Sequence, residues 1–219
     1  MSLLKKLLLT TIPVWAVAQP AIAAEQAPEI VVTATRTETP ISQVGSSISV
    51  LTAAEIEERQ YTFTADAIRS LPGIIVNQNG SFGGQASIRI RGASADQTLV
   101  VVDGVIVNDP ARPGADFDFS NLDPSDIERI EVLRGPQSTL YGSQAIGGVV
   151  NIITKRAEEP FAYSAFLETG SFNTVRSGGS VSGIEGETDY RISLSGIQSN
   201  GISKADERLG NPEEDGYKS

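Results

Sequence analysis

The sequence predicts a small α+β domain, a mixed sheet with short helices, followed by a run of antiparallel β-strands. Three observations predict it. Asp103-Gly104 sits between the apolar runs Leu99 to Val102 and Val105 to Val107, a strong hairpin signature. Thr52 and Thr64 each precede a short helical stretch, as helix-capping residues do. Tyr190-Arg191-Ile192-Ser193-Leu194-Ser195 alternates apolar and polar residues, the period of a strand with two unlike faces.

The elements follow in order. Ile48 to Leu51 predicts a strand, and Thr52 caps a helix over Ala53 to Arg59, with Glu55 at the capping-box position. Thr64 caps a second helix, Ala65 to Leu71, which Pro72-Gly73 stops. Ile74 to Val76 is a short strand, and a polar loop runs from Asn77 to Gln85. Ser87-Ile88-Arg89-Ile90-Arg91-Gly92 alternates and predicts a half-buried strand. After the Asp103-Gly104 hairpin comes a loop from Asn108 to Asp118, stiffened by Pro110 and Pro113. Pro124 to Ile127 predicts one helical turn, with Asp126 as a helix-start residue and Asp103 as a turn residue. Ile130 to Leu133 and Val149 to Ile153 are the last buried strands of a domain placed at residues 40–155.

Residues 156–219 have a different texture. Phe161 to Gly170, Thr174 to Gly183 and Tyr190 to Ser195 alternate, and the longer two have the length of tilted membrane-crossing strands. An antiparallel sheet with one wet face fits the pattern equally well.

Composition narrows the chemistry. The formal charge of −10 argues against a nucleic-acid-binding face. The chain has no Cys and no His, which removes disulfides, thiolate nucleophiles, the usual zinc sites and every His-based triad. No two of its many carboxylates have a spacing that singles them out as a hydrolytic pair. Gly83-Gly84 and Gly147-Gly148 lack the Gly-Lys-Ser/Thr end of a phosphate loop.

Residues 1–23 read as a secretory signal peptide. Lys5 and Lys6 give the positive start, Leu7 to Val17 the apolar run, and Ala21-Ile22-Ala23 the small residues of a cleavage site. Cleavage before Ala24 removes both lysines and takes the formal charge from −10 to −12. No segment reaches the roughly 18 apolar residues of a membrane helix, so any insertion must use strands. Ala24 to Gln43 looks mobile, apart from the β-prone island Glu29-Ile30-Val31-Val32-Thr33-Ala34 within the segment 24–39. An unpaired strand is a template for strand addition by a partner; the alternative is an edge strand of the following domain.

Five pieces in this order carry a family resemblance: the island at Ile30 to Ala34; Ser70-Leu71-Pro72-Gly73-Ile74; Ile88-Arg89-Ile90-Arg91-Gly92; Val102-Asp103-Gly104-Val105; and the run from Arg134-Gly135-Pro136 through Tyr141-Gly142 and Gly147-Gly148 to Thr154. Together they resemble the TonB-dependent outer-membrane receptors of Gram-negative bacteria, with the likeness leaning to the cobalamin (vitamin B12) branch through Gln78-Asn79-Gly80 and Ala93-Ser94-Ala95-Asp96. The resemblance implies a plug domain at 40–155 followed by an incomplete start, 156–219, of a transmembrane β-barrel. It makes Glu29, Ile30, Val31, Val32, Thr33 and Ala34 the TonB box, partner of TonB with ExbB-ExbD. It places Gln85, Ser87, Ser94, Arg112 and Pro113 on cargo-facing loops, the cargo being cobalamin or an iron–siderophore. It turns Arg89, Arg91 and Arg134 toward barrel carboxylates; without those they would meet water or internal acids such as Glu128 and Glu131. It offers Ca²⁺ to Asp206 and Asp215, although only Asp215-Gly216-Tyr217 matches and a solvated acidic loop is the competing reading; no other cofactor is implied. A full barrel of this family has roughly 22 strands. The few strands here cannot close, so the sequence predicts either a fragment of a transporter or a non-transporting periplasmic module that binds TonB.

Overall fold

The computed structural model describes residues 31–80, 83–112, 114–201 and 217–218. The signal peptide, Glu29, Ile30, Pro113, Asp206 and Asp215 lie outside the described residues. Strand β1, Val31–Val32, pairs antiparallel with β2, Thr39–Pro40. Strand β3, Ser47–Thr52, runs directly into helix α1, Ala53–Glu58, and helix α2, Thr64–Arg69, follows. Strands β4, Ile74–Gln78, and β5, Ala86–Ile90, pair antiparallel. Strands β6, Thr98–Val102, and β7, Val105–Ile106, flank the Asp103-Gly104 turn. Strand β8, Ile127–Arg134, the single turn α3, Ser138–Tyr141, and strand β9, Gly148–Thr154, complete the α+β domain. Strands β10, Phe161–Gly170, β11, Thr174–Glu185, β12, Thr188–Ser199, and β13, Tyr217–Lys218, form a separate antiparallel sheet.

The central sheet has the order β3-β8-β9-β6-β7 and is mixed, because β6 runs parallel to β9 while the other pairs are antiparallel. It buries both faces, which is why β6 reads as an unbroken apolar run rather than an alternation. Ile130, Val132, Val150, Ile152 and Val100 pack with Ile56 and Ile68 of the helices and with Ile88 and Ile90 of β5. The next residue along each strand points the other way. Leu133, Val149, Leu99 and Val101 therefore form a second core, closed by Ala34 from the N-terminal segment and Ala145.

Local chemistry sets the element ends. Thr52 and Glu55 make a reciprocal capping box, the Thr52 hydroxyl accepting from Glu55 N at 3.3 Å and Thr52 N donating to the Glu55 carboxylate at 2.9 Å. The expected Thr64 cap is not formed. Thr64 is instead the first helical residue, Phe63 takes the cap position, and the Thr64 hydroxyl donates to the Leu122 carbonyl at 2.6 Å. Asp126 does not start the turn at Pro124–Asp126 either; Asp123 caps it by accepting from Ser125 N at 2.7 Å.

The antiparallel strands after residue 160 stand where the alternation predicts them. In register, Tyr163, Val181 and Ile192 lie side by side, as do Ser164 with Ser180 and Ser193. Residues of one parity face away from the α+β domain and are apolar: Phe161, Tyr163, Leu167, Val175, Val181, Tyr190, Ile192 and Leu194 are all exposed, Leu194 by 81%. The opposite parity faces the domain and is mostly polar, with Arg176, Ser180 and Ser182 buried, although Phe166, Ile184 and Ile197 share it. Among the described residues no helix is long and apolar enough to cross a membrane.

Candidate functional site

The described part of the candidate docking island, Val31 to Ala34, is not an edge strand of the central sheet. It pairs only with Thr39–Pro40 and lies across the exposed side of the second core, with Val32 and Ala34 fully buried. Glu131 of β8 reaches up to it. Its Oε2 accepts from Thr33 N at 2.9 Å and from Ala34 N at 2.7 Å. Asn151, directly opposite Glu131 in the β8–β9 ladder, donates through Nδ2 to the same carboxylate oxygen and to the Thr33 hydroxyl, each at 3.0 Å. Arg129 holds the other oxygen, Nε to Oε1 at 2.8 Å. The Tyr141 hydroxyl donates to the Ala34 carbonyl at 3.0 Å, and the Arg36 guanidinium stacks over the Tyr141 ring. Burial pushes the Tyr141 phenol above its ordinary pKa, against the pull of Arg36, so the hydroxyl stays a donor at neutral pH.

Glu131 is fully buried with donors all round it, which is what a carboxylate requires away from water. Sequence reasoning treated it only as a stand-in partner for the arginines. A signal was present: Glu131 and Asn151 interrupt the apolar runs Ile130 to Leu133 and Val149 to Ile153, and they fall opposite each other.

Of the described candidate cargo residues, Ser87 lies within strand β5, while Gln85, Ser94 and Arg112 lie in loops. Gln85 and Ser94 are exposed, Ser87 and Arg112 half-buried. Asp118 ties two of their loops together: its carboxylate accepts from Ala86 N at 3.0 Å and pairs with Arg112 at 3.5 Å. Burial opposes its ionisation, but the amides of Ala86 and Ser120 and the Arg112 charge outweigh it and hold its pKa below the ordinary value. Gly114 stands next to Asp96, so the loop after Asn108 also abuts the Ser94 loop. Asn108 anchors that loop, accepting from Val100 N at 2.7 Å and donating to Thr98 O and Ala115 O.

Arg89, Arg91 and Arg134 do not find the internal acids. Glu128 and Glu131 are both taken by Arg129, at 2.6 and 2.8 Å. Arg134 is buried and donates to the hydroxyls of Ser47 and Ser49, while its Nε has no partner. Burial and the neighbouring Arg91 charge lower its pKa. Arg89 and Arg91 are exposed, and among the described residues neither pairs with a carboxylate.

The ion pairs that join the α+β domain to the following strands have the reverse polarity. Arg176 of β11 pairs with Asp123 at 2.8 Å and with Glu168 of β10 at 3.1 Å, and lies over the Phe166 ring. Arg191 of β12 pairs with Asp126 at 2.6 Å. Burial opposes ionisation of Asp123, but hydrogen bonds from Ser125 and Ser195 and the Arg176 charge prevail and hold its pKa below the ordinary carboxylate value. Arg176, Glu168, Asp126 and Arg191 wall a cleft of about 380 Å³ between helix α1 and the strands, lined also by Tyr61, Lys155 and Ser180.

Comparison with known families matches residues 40–149 to the TonB-dependent Receptor Plug Domain. The chain is 42% identical over 142 residues to the vitamin B12 transporter BtuB of Vibrio vulnificus strain CMCP6, a stretch covering 65% of this chain and 23% of that transporter. It superposes on the siderophore receptor PirA from Pseudomonas aeruginosa with a TM-score of 0.57 at 33% identity, covering 73% of this chain and 29% of the receptor. It also superposes on the ferric-catecholate import receptor Fiu from E. coli K12 with a TM-score of 0.61, covering 79% and 25%; at 22% identity that likeness concerns the fold alone. The chain thus spans about a quarter of the length of the relatives it matches.

Proposed function

The chain belongs to the TonB-dependent receptor plug domain family, and on that premise we propose that it forms the plug and opening barrel strands of an outer-membrane receptor that imports cobalamin. The observation that carries the transport reading is the inverted amphipathicity of β10 to β12. Their apolar side chains face outward, where a bilayer would cover them, and their polar side chains face the plug. The inward arginines engage plug acids, as a plug seated inside a barrel would require. Resemblance to the vitamin B12 transporter favours cobalamin as cargo. Likeness to the siderophore receptor PirA favours an iron–siderophore as the second reading.

In this mechanism the chain's residues bind and gate rather than make or break bonds. Cargo settles on the residues Gln85, Ser87, Ser94, Arg112 and Pro113. Glu29 to Ala34 is the segment that TonB, itself driven by ExbB-ExbD, takes up as an added strand. Arg89, Arg91 and Arg134 are a cationic patch that barrel carboxylates would complete, the unpartnered Nε of the buried Arg134 supporting this.

The test is a chimera. The matching segment of the Vibrio vulnificus vitamin B12 transporter is replaced by this chain, and labelled uptake is measured in a strain without its own receptor. TonB-dependent cobalamin uptake is expected. Uptake of a ferric siderophore instead would transfer the reading to the second cargo. No uptake of either by a chimera that reaches the outer membrane overturns the transport reading.

A further inference from the structure

Asp118 joins two of the segments assigned to cargo, and its role below rests on that assignment. We propose that Asp118 is a positioning residue for cargo binding, whose carboxylate fixes Arg112 and the start of strand β5 in one arrangement before cargo arrives.

Asp118 is itself firmly placed. Phe119, the next residue, is buried in the core shared by the helices and the sheet, and Phe117 packs edge-on against it with ring centroids 4.8 Å apart. The two carboxylate oxygens have different partners. Oδ1 accepts from Ser120 N, capping the turn Phe119–Asn121, and from Ala86 N, each at 3.0 Å. Oδ2 faces Arg112 Nη2 at 3.5 Å. Ala86 stands between Gln85 and Ser87. One carboxylate is therefore fastened to the backbone beside two candidate cargo residues and to the side chain of a third. Its pKa lies below the ordinary value, so it stays charged at neutral pH. Among the described residues Arg112 pairs with no other carboxylate.

The loop that carries Arg112 is pinned at its other end by Asn108, which accepts from Val100 N at 2.7 Å and donates to Ala115 O at 3.0 Å. Two backbone bonds tighten it in between, Arg112 N donating to Asp109 O at 3.2 Å and Ala115 N to Arg112 O at 2.9 Å. What the backbone leaves free is the Arg112 side chain, a long group with many rotamers. Asp118 narrows that choice. The pair is only half-buried, so its direct stabilisation of the fold is small. Its effect is on binding: a side chain already held in place spares cargo the loss of entropy that ordering it would bring. Asp118 acts through Arg112 and Ala86 and touches no cargo itself.

The test uses the chimeric receptor, with labelled cyanocobalamin as the probe. Asp118→Asn keeps an acceptor for the two amides and removes the charge that faces Arg112; Asp118→Ala removes both. The half-saturating concentration for uptake is expected to rise about threefold in Asp118→Asn and about tenfold in Asp118→Ala, with the maximal rate per receptor unchanged. In an Arg112→Gln background, Asp118→Asn is expected to have no further effect, because the group through which it acts is gone. A lower maximal rate with an unchanged half-saturating concentration would make Asp118 merely structural and overturn the proposal. So would an unchanged half-saturating concentration in both variants, or the full threefold effect in the Arg112→Gln background. Asp118→Asn carries the test if Asp118→Ala does not reach the outer membrane. If the chimera with the unaltered chain takes up no cyanocobalamin, the cargo assignment falls and takes this role with it. If that chimera transports and the variants match it, only the role of Asp118 falls.

Discussion

At the scale of single residues, the domain relies on a few positions where a small change has no room. Gly148 opens β9 with φ near +152°. A Cβ there would run into the Leu133 carbonyl oxygen and come within 2.9 Å of Ile90 Cδ1. Backbone cannot yield as a flexible side chain can. Gly148→Ala is therefore expected to destabilise the domain by about 1–3 kcal/mol, read as a lower urea midpoint. Asp103 shows the opposite economy of means. It adopts φ +46° to make the hairpin turn and also accepts from Thr154 N at 3.0 Å and its hydroxyl at 2.7 Å, stitching the turn to the end of β9. The turn was legible from Asp103-Gly104 because turn chemistry is local. The Thr154 bonds were not, because they join residues 51 apart in sequence.

Among the elements, the strands β10 to β12 carry the clearest message. Their alternation was visible in the sequence, but the direction of each face was not. A soluble sheet would turn Leu194 and Ile192 inward; here they are exposed by 81% and 72%. In the chimeric receptor, whose barrel can close, Leu194→Arg, near the middle of β12, is expected to cost about 2–4 kcal/mol of stability in lipid vesicles. Ser193→Arg, on the plug-facing side of the same strand, should cost clearly less. Equal effects, measured by urea unfolding of the vesicle-embedded protein, would count against a lipid-facing assignment. The short helices show the limit of local signals. Thr52 and Glu55 form the capping box that the spacing predicted. Thr64 offers an equally good cap by sequence, yet its hydroxyl is drawn away by the Leu122 carbonyl, 58 residues distant.

In the whole molecule, the plug and the following strands are held together by Asp123–Arg176 and Asp126–Arg191. Asp123 has a folded pKa below its ordinary value. Its contribution is therefore complete above the unfolded carboxylate value of about 4 and is lost as pH falls through the lower folded value. Resistance of the connection at residues 155–160 to proteolysis should be constant from pH 7 to about 5 and decline below about 4. Asp123→Asn should lower resistance at pH 7 and flatten that decline. A decline as steep in the variant as in the wild type would remove Asp123 from the clasp.

Sequence alone determined the elements whose causes are local: the hairpin turn, the capping box, the alternation of the late strands and the order of motifs that marks the plug family. Tertiary structure decided everything that depends on which distant groups meet. It turned the polar face of β10 to β12 toward the plug and gave Asp126 to Arg191 rather than to a helix start. It laid Val31 to Ala34 over the second core and set Glu131 beneath two of its amides. The reason is physical. A turn or a cap is settled by neighbours along the chain, whereas the partner of a buried charge is settled by the competition of every donor that the fold brings within reach.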